Sequence, residues 1–380
     1  MNSAKGASVV VIGGGVTGLS AAWWLARSGI DVLVLERGAV GGEASGRNGG
    51  GCTHPNSPLF REEQRLWPQM DELLGYPTEF QPTRLRITLT PEEFDHYWRR
   101  GAGAATRQGF EVEVLDQKQV RDLVPLVGEE GNGGIFLKFG GHANPQRSAQ
   151  AYAFALRDLK GRILQHTTVT AIETMGGKAS RVVTSRGSFD CDALVVAAGP
   201  HTAVMAAWLG VSLPLASARA EMLVTEPIPA LPFSGGDGHG LYGRQTLRGN
   251  LVYGGGPHEW IDLDGLQEPS KPVTPMIRSL ANRLACLFPK AAHLRVIRTW
   301  SGIVENTPDG RPVIEKLSNP ENVTIATMSS IGFGLSPASG RAIRDLVLEG
   351  HCSFAPIESL SLRRFANLAP DWRVTAGWLS

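Results

Sequence analysis

Cysteine is scarce. The chain has four in 380 residues (Cys52, Cys191, Cys286, Cys352), far apart and never as a C-x-x-C pair. That spacing excludes the common zinc and iron–sulfur motifs, and reduced cytoplasmic thiols are the expectation. The nine histidines show no H-E-x-x-H spacing, so no metal site is expected. An excess of one charge is also lacking. Thirty-seven Lys and Arg face 36 Asp and Glu, a net charge of +1, which exerts no global pull on nucleic acid or anionic lipid. No apolar run approaches the ~20 residues needed to span a bilayer. Met1–Ala7 is too short for the core of a signal peptide before the first strand begins. Repeats, low-complexity tracts and charge blocks are missing, and no Ser–His–Asp arrangement stands out.

What is present is glycine, 46 residues in clusters, and enough apolar content (42%) to bury a core. Ser8–Ile12 reads as a buried strand. A glycine turn then leads into a helix with Leu19, Ala22, Trp23 and Ala26 on one face and a stop at Gly29, and Ile30–Leu35 reads as a second strand. This is a β-α-β unit. A glycine-rich loop is expected over Gly41–Gly51 and helices over Leu59–Leu74, Glu92–Gln108 and Gln146–Leu159. Leu85–Leu89, Phe110–Val114, Ile135–Phe139, Ile163–Ile172, Arg181–Phe189, Ala193–Ala198, Leu215–Thr225 and Leu251–Gly254 read as strands, the first and the last two antiparallel in character. Met276–Phe288 reads as a helix; a strand at Val323–Ala326, a glycine loop and a helix carrying Ala342, Ile343, Leu346 and Val347 follow. The pattern predicts two interleaved domains. Residues 1–84, 145–213 and 300–380 would form a nucleotide-binding α/β layer, and 85–144 and 214–299 an antiparallel layer.

Gly13-Gly14-Gly15-Val16-Thr17-Gly18 fits G-x-G-x-x-G between a strand and a helix. Gly13 serves the turn, Gly15 lets backbone approach a pyrophosphate, and Gly18 packs helix on strand. The helix N-terminus favours phosphate. Glu36 closes the second strand at the offset of an acid that binds a ribose hydroxyl. Only one such fingerprint exists, which argues for a flavin dinucleotide without a separate nicotinamide site. In the following segment, Ser45 and Arg47 are candidates to reach phosphate.

Four motifs now stand together: the fingerprint; Ala44-Ser45-Gly46-Arg47-Asn48-Gly49-Gly50; Leu194-Val195-Val196-Ala197-Ala198-Gly199-Pro200; and Thr307-Pro308-Asp309-Gly310-Arg311-Pro312 through Gly332-Phe333-Gly334-Leu335-Ser336-Pro337. In this order the chain resembles the FAD-dependent amine and amino-acid oxidoreductases of the D-amino-acid oxidase superfamily. Within it, the closer likeness is to the glycine/sarcosine oxidase branch and to the β chains of opine oxidase, D-hydroxyproline and L-proline dehydrogenase, hydrogen cyanide synthase and heterotetrameric sarcosine oxidase. The resemblance implies a Rossmann-like FAD-binding domain interleaved with an antiparallel-sheet α+β substrate domain, an α/β fold. It implies noncovalent FAD held by Gly13, Gly15, Val16, Gly18, Glu36, Arg37, Ser45, Arg47, Asn48, Gly49, Gly50, Val169, Ala198, Gly199, Gly302, Ser330, Ile331, Gly332, Phe333, Gly334 and Leu335.

The implied reaction is oxidation of a C–N bond in a secondary amine or amino acid, of the opine, proline-derivative or sarcosine class, by hydride transfer to flavin. The chain would act as the β (catalytic) subunit of a multisubunit dehydrogenase, with companion subunits carrying FMN or iron–sulfur centres. The alternatives are a stand-alone D-amino-acid or glycine oxidase using oxygen, and a non-catalytic FAD-binding subunit. The expected location is cytoplasmic, with association through partners at the inner face of the membrane left open. The sequence also departs from its relatives. Ser330-Ile331-Gly332-Phe333-Gly334 lacks the His and Lys of monomeric sarcosine oxidase, and Val304 and Ser330 stand where glycine oxidase-like enzymes carry arginines. The histidine that tethers FMN in some β chains is replaced by Asn144 or Pro145. Substrate candidates are therefore His54, Arg219, Arg244 and Tyr253, with Tyr242 and His258 beside them. Arg219 and Arg244 are the expected carboxylate clamp. Trp23, Trp24 and Trp208 are expected in the core.

Overall fold

Val9–Ile12 are all buried, as a strand covered on both faces requires. In the computed structural model, which describes residues 4–263, 271–369 and 371–375, they belong to β1 (Ala4–Ile12). α1 (Val16–Arg27) buries Leu19, Ala22, Trp23 and Ala26, and Gly29 follows its end at φ +82°, a conformation that glycine adopts without strain. β2 (Val32–Leu35) pairs with β1 in parallel. The glycine-rich stretch expected as loop contains a helical turn, α2 (Ala44–Arg47). The helix expected over 59–74 is α3 (Phe60–Leu66), a 3₁₀ turn at Trp67–Gln69 and α4 (Met70–Leu74). Pro68 lacks the N–H that an uninterrupted α-helix needs there.

β3 (Gln81–Thr88) opens the second sheet. α5 (Pro91–Tyr97), a π segment over Trp98–Ala102 and α6 (Gly103–Arg107) make the helix expected at 92–108. β4 (Val112–Leu115), α7 (Gln117–Leu123) and β5 (Gly133–His142) follow. α7 escaped the sequence reading although Asp116 and Gln119 form its capping box. α8 (Pro145–Asp158) returns the chain to the first sheet. There, β6 (Arg162–Leu164) and β7 (Val169–Met175) replace the single strand expected at 163–172, because β6 pairs with β2 while β7 pairs with β8 (Lys178–Thr184). β9 (Gly187–Val196) is one strand, and the turn before it falls at Ser185–Arg186.

α9 (Thr202–Trp208) precedes β10 (Ala216–Pro227), β11 (Gly236–Gly238), β12 (Leu241–Gln245), β13 (Asn250–Ile261), α10 (Thr274–Leu287) and β14 (Val296–Asn306). β15 (Val313–Lys316), β16 (Val323–Thr327) and α11 (Gly332–Glu349) return to the first sheet. The first sheet runs β15-β16-β9-β1-β2-β6, with β8 and β7 added through β9; the second runs β14-β10-β13-β12-β11-β3-β5-β4. The second sheet is antiparallel except for the short parallel β11–β3 pairing. Two expected boundaries, after residue 84 and before residue 300, fall inside β3 and β14. α1 and α11 pack on one face of the first sheet in a core that includes Leu25, Val195, Ala338 and Ile343. α10 covers one face of the second sheet with Leu280, Leu284 and Leu287. The opposite face of that sheet is turned to the site.

Candidate functional site

The C-terminal ends of β1, β9 and β16 open onto one cleft of about 340 Å³, the place where parallel α/β sheets bind ligands. Gly13 turns there at φ +115°, and a Cβ on it would collide with the Ala197 carbonyl. A Cβ on Gly18 would collide with the Gly13 carbonyl. A Cβ on Gly15 would meet only Ser45 Oγ, at 2.9 Å, so Gly15 presents bare backbone to the cleft. Val16 N–H donates to Ser45 Oγ at 3.0 Å. Glu36 stands at the far end and accepts from Gly14 N–H (2.7 Å) and Gly38 N–H (2.6 Å).

The expected cofactor residues Gly13, Gly15, Val16, Glu36, Arg37, Ser45, Asn48, Val169, Ala198, Gly199, Ser330, Gly332 and Phe333 all line this cleft. Others lie elsewhere. Gly18 is a packing residue under α1. Arg47 points away from the cleft: its Nε donates to Gly42 O (2.7 Å) and its Nη1 to Ser301 O (2.9 Å). It ties α2 to β14 and does not line the cleft. Gly302 supports the same contact, since a Cβ there would press on Arg47 Cβ at 3.4 Å. Leu335 is fully buried in the core, and Gly334 accepts from Trp67 Nε1 at 2.7 Å. Gly49 and Gly50 run beneath the second sheet, against Tyr242 and Arg244.

Sequence reasoning missed one wall. Val204, Met205 and Trp208 lie along one side of α9 and line the cleft. Trp208 is 43% exposed rather than in the core, and Trp24 is half-buried, whereas Trp23 is buried as expected. An apolar face directly after Gly199-Pro200 was the available signal. His201, beside it, is pushed down to about 4 by burial and by Arg37. Glu305 also lines the cleft. It accepts from Thr327 Oγ1 (3.0 Å) and Met328 N–H (3.1 Å), yet burial raises its carboxyl above the usual range.

The loop into α11 is strained. Ser329 and Ser330 take φ +48° and +67°, uncommon for residues with a side chain. Hydrogen bonds fix them: Thr307 N–H donates to Ser329 Oγ (3.0 Å), and Ser330 Oγ donates to Asn306 Oδ1 (2.7 Å) and Glu305 O (3.1 Å). Ser330, Gly332 and Phe333 face the cleft, while Ile331 lines a second cavity of about 680 Å³.

That second cavity lies between α11 and the face of the second sheet opposite α10, and its walls include His54, Arg86, Tyr97, Leu137, Tyr242 and Arg311. His54 Nδ1 lies 2.6 Å from Glu63 Oε1, and its backbone N–H donates to Glu63 Oε2 (3.1 Å). The carboxylate only accepts, so Nδ1 carries the proton. The other substrate candidates are placed away from this cavity. Arg219 pairs with Glu259 at 2.7 Å at the surface. Arg244 is buried and donates to Gly49 O (2.7 Å), and burial draws it down to about 10. Tyr253 pairs with Gly243, one residue off Tyr242, so it faces the other side of the sheet. There it packs against Phe288 and donates to Gly236 O. His258 is exposed. Period-2 alternation decides which tyrosine reaches the site: Tyr242 does, its phenol pushed up to about 12 by burial.

The cleft fits an elongated dinucleotide. Bare backbone at Gly15 meets the N-terminus of α1, Glu36 stands at one end, and at the other the first-turn N–H groups of α11 lack intrahelical acceptors, as at any helix start. No group of His, Cys, Asp and Glu among the described residues is arranged to hold a metal. Among the described residues no helix is long and apolar enough to cross a membrane.

Comparison with known proteins agrees. A family model described as FAD dependent oxidoreductase matches residues 8–346. The chain is 30% identical over 373 residues to the sarcosine oxidase beta subunit of Rhodobacter capsulatus, covering 94% of this chain and 88% of that protein. It is 30% identical over 340 residues to an opine oxidase subunit of Agrobacterium tumefaciens, covering 81% and 84%. Among solved structures it resembles L-proline dehydrogenase from P. horikoshii, with a TM-score of 0.86, 23% identity and coverage of 95% and 98%. Glycine oxidase from Geobacillus kaustophilus gives 0.85, 23%, 94% and 98%.

Proposed function

The chain belongs to the FAD-dependent oxidoreductase family, and on that premise we propose that it oxidises a C–N bond in a secondary amine or amino acid. The relatives named for sarcosine oxidase and opine oxidase support this substrate class. Both are subunits by name, which supports a role as the FAD-carrying chain of a multisubunit enzyme; that this enzyme is a dehydrogenase whose companions carry FMN or iron–sulfur centres is part of the same proposal.

The observation that carries the reading is the Ser330–Phe333 loop, which faces the dinucleotide cleft on one side and the second cavity on the other. Bound in the cleft, FAD supplies a two-electron acceptor for hydride from the carbon beside nitrogen. The chain's own residues do the rest. The N–H groups opening α11 face charge that accumulates at that end of the cleft. The second sheet forms one wall of the cavity. Tyr242 and the His54–Glu63 pair present fixed polar edges at its wall. Such a reaction asks for orientation and dehydration more than for a strong side-chain base.

An anaerobic screen of amines and amino acids against the FAD-loaded protein, purified with its companions, tests the reading. Loss of flavin absorbance with an N-substituted or cyclic amino acid is expected. Bleaching by none of them would overturn it, and rapid reoxidation in air by a lone chain would overturn the dehydrogenase-subunit role. Acid precipitation should release all of the colour as FAD, because attachment is noncovalent.

A further inference from the structure

Arg84 and Arg86 lie two residues apart on β3, and both reach the carboxylate of Asp237 on the adjacent β11. Arg84 Nη2 donates to Asp237 Oδ2 at 2.6 Å, and Arg86 Nη1 donates to the same oxygen. Asp237 is fully buried and Arg84 nearly so. One carboxylate is thus shared by two guanidinium groups, and of the two only Arg84 also feels the buried Glu63 carboxylate, so Arg86 has no carboxylate of its own. Uncompensated buried charge is costly.

Arg86 opens in one direction. Arg86 is about a quarter exposed (24%), and the surface it exposes is the wall of the second cavity, beside Tyr97 and Tyr242. Burial, then the neighbouring Arg84, holds its guanidinium below its ordinary pKa. The nearby acids are engaged elsewhere: Glu63 by His54, and Glu93 by His239 Nδ1 (2.8 Å) and Leu89 N–H (2.8 Å). Glu92 is exposed at the start of α5.

We propose that Arg86 anchors the carboxylate of the substrate in this cavity, which makes the substrate class amino acids and not simple amines. Nη1 is committed to Asp237, so the Nε–Nη2 edge remains for the two carboxylate oxygens. An incoming carboxylate gives Arg86 the partner that Asp237, shared with Arg84, supplies only in part, which is the source of selectivity. Arg219 and Arg244, tied to Glu259 and to Gly49 O, serve other contacts.

The proposal rests on the amine-oxidation reading, and its test is kept separate from turnover. Pyrrole-2-carboxylate, a planar acid that cannot be oxidised in this way, and its carboxamide are titrated into the FAD-loaded protein by calorimetry. Wild type binds the acid more tightly than the amide. Arg86→Ala and Arg86→Gln lower the acid's affinity at least tenfold and leave the amide's unchanged, while Arg86→Lys restores part of the loss. These variants leave Arg84–Asp237 as a one-to-one pair, so FAD content and melting temperature hold. Unchanged acid affinity in the Ala and Gln variants, or no preference for acid over amide in wild type, overturns the anchor. A wild type that no amine bleaches, but whose acid affinity still depends on Arg86, overturns the reaction and leaves the anchor standing.

Discussion

Two glycines of the fingerprint, Gly15 and Gly18, do different work, and substitution separates them. Gly15→Val projects a side chain beside Ser45, where the pyrophosphate would approach. The protein should keep its melting temperature and lose FAD. Gly18→Val drives a Cβ into the Gly13 carbonyl, so stability should fall by about 1–3 kcal/mol through overpacking, measurable in the apoprotein by denaturant titration. His142 gives a pH signature. It is buried, its Nε2 lacks a partner among the described residues, and burial followed by Arg244 and Arg84 pushes it well below 6.5. The unfolded chain therefore takes up a proton that the folded chain refuses. Stability is full above about 6.5 and is lost as pH falls below it, by up to about 1.4 kcal/mol per pH unit. His142→Phe should flatten that slope in denaturation curves taken between pH 7 and 5; an unchanged slope would assign the effect to other groups.

At the scale of elements, most helices and strands were legible because their apolar spacing agrees with their packing. α1 and α8 show the helical period, and β1 and β9 each end in a short apolar run, Val9–Ile12 and Ala193–Val196. β14 was not read, because Arg298, Ser301 and Gly302 interrupt its alternation, although β10 pairs with it along its length. α2 was hidden by its glycines. In the candidate site, the fingerprint and the tail loop were legible from local turn chemistry. The substrate side was not, because Arg86 draws its meaning from Asp237, about 150 residues away, and Tyr242 is distinguished from Tyr253 only by strand register. Asn48 tests α2 as a unit. Its Nδ2 donates to Ala44 O and Ser45 O (3.0 Å each), and its Oδ1 accepts from Gly50 N–H (2.8 Å). Asn48→Ala should release the Gly49–Gly50 segment and weaken FAD binding about tenfold, roughly 1.4 kcal/mol, in an equilibrium titration of apoprotein.

At the scale of the whole molecule, the two sheets are joined at a few polar contacts. Arg47 donates to Ser301 O while Trp300 Nε1 donates to Arg47 O (2.9 Å). A double-mutant cycle of Arg47→Ala and Trp300→Phe should return a coupling of about 0.5–2 kcal/mol in stability. Additive effects would mean that these two contacts hold the sheets together independently of each other. The order in which strands join the first sheet has a further outcome. Val9 pairs with Ala193, and Leu194 pairs with Val323. A chain leaving the ribosome therefore exposes β1 for most of its synthesis without the neighbours that complete the cleft, and such long-range parallel pairing is slow. Flavin loading is in consequence expected after translation. Nascent chains stalled at residue 300 should fail to retain labelled FAD, whereas released full-length chains should take it up, so the supply of flavin sets the yield of finished protein and not the rate of its translation.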